Sequence, residues 1–264
     1  CGWIRLGHAV QLMDIYDSVL AKECYQTALE IMEELNVSRG KAEANMGLCI
    51  LHTNQGAYEK AILCGEEALK ETEEVKDNWL SGLIYLAMKI ASIHNRKWDM
   101  ADYYGLRASR LLRNCGDQYA EMLLSFWKSI YYFERQEWKE FTQSMNVFLN
   151  FLQTGNYEFI LSNRTTFGPN DLQQFTPLLM EAQNREIQKA YVTSLLNELG
   201  FSQIQNHPGY TLKIQTLGNF KVWLGQKEVG AKDWQRAKAK ELLEFFVTKR
   251  NKLLVKDEIF AALW

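Results

Sequence analysis

Along the first 150 positions apolar residues recur three and four apart, the period of an amphipathic helix, and the pattern repeats every 40 residues. One column reads Leu6, Met46, Leu86, Phe126; four places on stand Val10, Ile50, Ile90, Ile130. Between them lie Gly7, Gly47, Ala87, Trp127, and farther along come Ala21, Ala61, Ala101, Phe141 and Ala28, Ala68, Ala108, Phe148. Aromatic Tyr58, Trp98 and Trp138 precede the second helix of the last three units. The pattern predicts a helix–turn–helix unit stacked four times over 1–152. Small residues seven apart, as in Ala21 and Ala28, let the second helix approach the first. One such pair cannot bury its apolar face alone, so neighbours must stack into a solenoid. Trp127, Phe141 and Phe148 break the small columns in the fourth unit, which predicts a loss of close approach there.

Residues 153–207 form a connection and a cap. Gln153–Asp171 interrupts the pattern with Gly155, Gly168 and Pro169, and helical periodicity returns at about 172–199, ended by Gly200. Ser202–Gly209 reads as a linker. From Tyr210 the period changes to two. Leu212, Ile214 and Thr216 share one strand face, Leu217–Asn219 turns, and Phe220, Val222 and Leu224 make a second face. Gly225-Gln226 and a short strand near Glu228-Val229 follow. Asp233 is the expected N-cap of a helix that buries Ala237, Leu242, Leu243, Phe246 and Val247 and ends near Arg250. A second helix starts near Lys256 and carries Ile259, Phe260 and Leu263.

Composition sharpens this division. All three prolines, Pro169, Pro177 and Pro208, lie beyond residue 168, as consecutive helices require. Net charge is −2, yet residues 208–264 carry 11 basic against 6 acidic side chains, so a basic piece follows an acidic helical body. No apolar run of about 18 residues occurs, so no membrane is expected. Five cysteines without a pairing pattern suit a reducing cytoplasm, where the Asn36 and Asn163 sequons carry no meaning. Cys1 in place of Met, with no leader behind it, suggests a cut inside a longer protein.

The spacing Leu-Gly-x-x-Val followed by Ala-x3-Tyr-x2-Ala resembles the tetratricopeptide repeat, stretched from the usual ~34 residues to 40. That stretched spacing looks like the repeats of large bacterial regulators of the MalT type. The tail, through Leu217-Gly218-x-Phe220-x-Val222, Trp234-x-Arg236-x-Lys238-Ala239, Leu242-Leu243 and Leu263-Trp264, closely resembles the start of the bacterial transcriptional activator domain, an OmpR-like winged helix. Leu178–Ala182 and Leu195–Gly200 resemble the helical segment joining repeats to that domain. The implied fold is mostly α, a tetratricopeptide-like solenoid followed by an incomplete α+β winged helix over 208–264. In the family a third helix and a wing read the DNA, and both follow the Leu-Trp that closes helix two. The expectation is therefore that this fragment alone lacks specific DNA binding. Relatives of the MalT type carry a nucleotide-hydrolysing module upstream, so ATP would belong to a part of the parent protein before Cys1. No cofactor is expected within 1–264.

Candidate chemistry is sparse. Arg236, Lys238 and Lys240 lie two apart on the first helix of the tail, so they spread around it; they are DNA-backbone candidates or simply a solvated face. Lys249, Arg250 and Lys252 suit the negative end of a helix dipole. Gly225–Lys232 has the glycines of a phosphate loop but Ala231 displaces the lysine, and a hairpin turn is the better reading. His8, His52, His94 and His207 have no metal-ligand spacing, and Cys24 and Cys64 occupy equivalent repeat positions as gap fillers. Glu33-Glu34, Glu66-Glu67 and Glu73-Glu74 are adjacent and face apart, and no nucleophile has a base. An enzyme is not expected. Tyr58, Trp98 and Trp138 plug the repeat junctions, or with His52, Asn54, His94 and Arg96 line a concave groove for a peptide or small ligand.

The functional expectation is a fragment of a cytoplasmic bacterial transcription regulator. Its repeats would sense a ligand or a protein partner, the complete C-terminal domain would bind promoter DNA, and self-association stays open. The alternative is a protein–protein adaptor that does not bind DNA.

Overall fold

A computed structural model of the chain describes residues 1–13, 17–201, 212–224, 227–230, 232–234, 236–249 and 255–263. The expected features at His207, Tyr210, Gly225-Gln226, Ala231, Arg250, Lys252 and Trp264 lie outside those residues. The fold is mostly helical and divides into two compact units, Cys1–Gly200 and Phe201–Trp264.

Eight helices open the first unit: α1 (Gly2–Gln11), α2 (Ser18–Glu34), α3 (Ser38–Asn54), α4 (Tyr58–Val75), α5 (Asn78–His94), α6 (Trp98–Cys115), α7 (Gln118–Glu134) and α8 (Trp138–Gly155). Their junctions obey a rule finer than the 40-residue period. Asn36, Gly56, Lys76, Arg96, Gly116, Gln136 and Asn156, spaced 20 apart, all adopt positive φ between 51° and 73°. Each left-handed residue ends one helix and turns the chain back within two or three positions. Aspartates then start several helices: Asp17, Asp77 and Asp117 accept backbone N–H groups of α2, α5 and α7.

Odd helices form an inner layer in which α1 packs on α3, α3 on α5 and α5 on α7, while the even helices pack against them from outside. The small columns sit between the layers: Ala21, Ala28, Ala61, Ala68, Ala101 and Ala108 are at most 1% exposed. Tyr25 of α2 is seated between Gly7 of α1 and Gly47 of α3, where a Cβ on either glycine would strike its ring. In the fourth pair the small columns are lost but the packing is not. Phe141 and Phe148 are fully buried, and α8 remains on α7 because the Phe148 ring joins Phe126 and Phe175 while the Phe141 ring meets Phe133 and Trp138.

After α8 come short 3-10 turns at Glu158–Leu161 and Leu172–Gln174. The expected single cap over 172–199 is two helices, α9 (Phe175–Asn184) and α10 (Lys189–Glu198), broken where Glu186 and Gln188 take positive φ.

The second unit is a three-stranded antiparallel meander, β1 (Leu212–Gln215), β2 (Lys221–Leu224) and β3 (Lys227–Glu228), followed by α11 (Ala237–Thr248) and α12 (Lys256–Leu263). Ile214 pairs with Val222, the buried residue of β2, and Gly218 takes φ 78° in the turn between β1 and β2. Asp233 does not cap α11. That helix begins three residues past Trp234, with Arg236 at its N-cap, and the Asp233 carboxylate instead accepts the Gly230 N–H at 2.9 Å to close a turn.

Candidate functional site

A cleft of about 260 Å³ opens between the C-terminal ends of α5 and α7 and the start of α9. Ile93, Ile130, Phe133, Pro177 and Leu178 give it apolar walls; His94, Arg96, Glu134 and Gln174 supply polar groups. The 40-residue period puts His94 and Arg96 at one turn and Glu134 at the next. The His94 ring lies edge-on to Trp127 at 5.4 Å and stacks with Tyr58 at 6.5 Å. Arg96 holds Glu134 only loosely, at 3.9 Å, and both are exposed. Such an exposed pair adds little to stability. It leaves a cation and a carboxylate facing each other across an apolar floor.

The other predicted groove residues are scattered. Asn54 belongs to a second, much smaller cleft of about 20 Å³ near α1, where its amide donates to Gln11. Gln11 in turn donates to the Tyr25 hydroxyl at 2.6 Å, and that hydroxyl lies 2.8 Å from His8 Nδ1. Burial holds the His8 pKa below the ordinary value, which suits a neutral ring accepting from Tyr25. His52 sits over Gln55 at 3.3 Å; burial lowers its pKa, with Lys22 and Lys60 pushing the same way. Trp98 meets Tyr131 edge-on at 5.7 Å, and Trp138 packs against Phe133 and Phe141 with the Arg185 guanidinium 4.3 Å over its ring. Of the seven, His94 and Arg96 line the cleft, with Tyr58 stacked on His94 and Trp138 packed on its Phe133 wall.

A single finding explains this dispersal. The segment after α8 runs back over the inner layer from the fourth helix pair to the first, covering the face on which an open groove was expected. Tyr119 of α7 holds its start through Tyr157 and Phe159. Farther along, the Trp127 Nε1–H donates to the Phe167 carbonyl at 2.7 Å inside the fold. At the far end the Arg164 guanidinium donates to the Met13 carbonyl at 2.8 Å, and residues 164–170 seal the small cleft beside His8 and Asn54. Ile160, Leu161, Phe167 and Pro169 are buried by this path. The signal was present in α5: NWLSGLIYLAMKIASIH is apolar all round, and 13 of its 17 residues are buried, so its inner face had to be covered.

On α11, the Lys238 ammonium donates to Glu241 at 2.7 Å and to the Leu263 carbonyl at 2.6 Å, so it ties α11 to the end of α12. Lys240 pairs with Glu244 at 3.6 Å and lies 5.8 Å over the Phe220 ring. Arg236 is exposed at the N-cap. Among the described residues no cluster of His, Cys, Asp and Glu could hold a metal ion, and no helix is long and apolar enough to cross a membrane. Comparison with family models, with curated proteins and with solved structures finds no match.

Proposed function

We propose that the chain is the sensing and linking portion of a bacterial transcription regulator, in which tetratricopeptide-like repeats bind a ligand or a protein partner and the second unit belongs to a winged-helix domain for promoter DNA. The observation that carries this reading is the order of the second unit. A three-stranded antiparallel meander is followed by two helices, in the stretch with the Leu217–Val222 and Trp234–Ala239 motifs and the basic excess. Sensing falls to the cleft of His94, Arg96 and Glu134, the opening the inner face retains beside its own covering segment. An occupant that prefers one arrangement of α5, α7 and α9 would shift the population of DNA-competent states. The chain does no chemistry of its own in this reading: the cleft offers recognition groups on apolar walls.

The test is binding of the complete protein to its own promoter region and to random DNA across a salt series. Selective binding whose affinity falls steeply with salt supports the reading. Equal, salt-insensitive binding to both sinks it in favour of the adaptor. One observation favours that second reading: Lys238 and Lys240 are engaged by Glu241 and Glu244 on their own helix, so their charge is already partly answered.

A further inference from the structure

Lys89 stands where the repeat asks for a small or apolar residue: its column reads Ala9, Cys49, Lys89, Ser129. It is 4% exposed in the middle of α5. Space for its stem comes from Gly105 of α6, the counterpart of Tyr25, and a Cβ on Gly105 would fall 2.8 Å from the ammonium. The ammonium donates to the Ala101 carbonyl at 3.2 Å and lies 5.1 Å over the Tyr131 ring. Among the described residues no carboxylate stands within ion-pair distance of it. A buried lysine without a counter-ion costs stability, and burial depresses its pKa to about 8, with Asp102 pulling it up and Lys128 pushing it further down.

The residue also has an opening in front of it. A pocket of about 90 Å³ is bounded by Lys89, Asp102, Lys128, Tyr131 and Tyr132. Through Ser109, Leu124, Lys128 and Tyr132 it shares its wall with a groove of about 280 Å³ between the outer helices α6 and α8. That groove continues over Val147 and Phe151, with Arg113, Glu121 and Glu140 at its margins. The groove exists because serines, not large side chains, line that part of α6, α7 and α8: Ser109, Ser125 and Ser144. We propose that this outer groove is a binding site for a small organic carboxylate, its carboxylate meeting the ammonium groups of Lys89 and Lys128 in the inner pocket and its apolar body lying between α6 and α8. The ligand supplies the counter-ion that the fold withholds. Asp102, exposed, and Glu140, half-buried, stand at the rim, so they select against a second negative charge and make a monoanion the better fit.

Binding should draw a proton onto Lys89, since the bound carboxylate favours the charged form. Calorimetry with benzoate at pH 8 in two buffers of different ionisation enthalpy reads that proton directly. The expected result is saturable binding with net proton uptake, lost at least 10-fold in Lys89→Met and weakened several-fold in Lys128→Ala. Lys89→Met removes a buried charge without removing volume, so it should fold at least as well as the parent. Gly105→Ala is the second variant: it crowds the ammonium within a helix that otherwise gains from alanine, and should weaken benzoate while keeping the circular dichroism spectrum. Benzoate binding that is absent in the parent at 10 mM, or unchanged in Lys89→Met, overturns the assignment. Neither outcome bears on DNA binding by the complete protein.

Discussion

The Trp79 indole N–H donates to the Asp117 carboxylate at 2.8 Å, reaching from the first turn of one inner helix to the residue that caps the next. Asp117 also accepts the Ala120 N–H at 2.9 Å, so a single carboxylate starts α7 and ties it to α5. One repeat earlier Arg39 holds Asp77 at 2.9 Å, and one repeat later the Tyr119 ring meets Tyr157 at 5.3 Å. The position 38 residues ahead is thus the partner each time, while the chemistry of the link changes. Asp117→Ala should cost about 2 kcal/mol in urea unfolding, a cap and a charge-assisted bond together. Asp117→Asn keeps a cap acceptor and should cost about half as much. A double-mutant cycle with Trp79→Phe that shows no coupling would refute the link.

Backbone strain is distributed on the same rhythm. Asn36, Gly56, Gly116 and Asn156 suit left-handed turns, whereas Lys76, Arg96 and Gln136 bear a Cβ penalty of about 1 kcal/mol each. Gln136→Gly and Lys76→Gly should each stabilise the protein by at most about 0.5 kcal/mol, after the larger unfolded-state entropy of glycine is subtracted. Gly56→Ala should destabilise it by about 1 kcal/mol. Thermal unfolding of the three variants decides the matter; a loss of stability in both glycine variants would mean those side chains contribute more than the turn costs.

What could be seen in the sequence was whatever repeats. The four helix pairs follow from columns that recur at 40, and the buried alanines follow from their size. Residues 153–174 were opaque because a covering segment has no period of its own; its partners, Met13 and Trp127, lie far away in sequence. The candidate groove residues are dispersed for that reason: His52, Asn54 and Trp98 share the register of the others, and register does not say which face of a stack is covered. Tyr58, His94 and Arg96 came together because successive turns place them side by side. Asp233 has the sequence position of an N-cap but closes a turn, because aspartate does both readily and only the Gly230 contact distinguishes the two.

The covering segment is pinned at its middle by one side chain. Trp127→Phe keeps the ring in the cluster with Phe126 but leaves the Phe167 carbonyl without its donor, a loss of about 1–3 kcal/mol for a buried acceptor. The effect should be local. Amide exchange at Gly168, whose N–H bonds to Thr165, is expected to speed up at least 10-fold while the amides of α5 hold their protection. Equal acceleration throughout α5 would show instead that the segment and the stack open as one unit.

The buried lysine sets the dependence on pH. In the folded protein burial lowers the Lys89 pKa to about 8, whereas the unfolded chain titrates near the ordinary lysine value of 10.5. Above both values the side chain is neutral in either state and costs nothing. As pH falls from 10.5 towards 8, the unfolded state takes up a proton that the folded state refuses, and below 8 the penalty is complete. It amounts to about 3 kcal/mol at most, at 1.36 kcal/mol per unit. Stability therefore rises with pH through this window on account of Lys89. Tyr25 and Tyr104 oppose it near the top, because burial raises their hydroxyl pKa and the unfolded chain ionises first. The clean quantity is the difference between the parent and Lys89→Met. The variant should be more stable by about 1–3 kcal/mol at pH 7, and that advantage should shrink steadily by pH 10. An advantage that stays constant from pH 7 to 10 would mean that Lys89 carries its charge inside the fold at no cost.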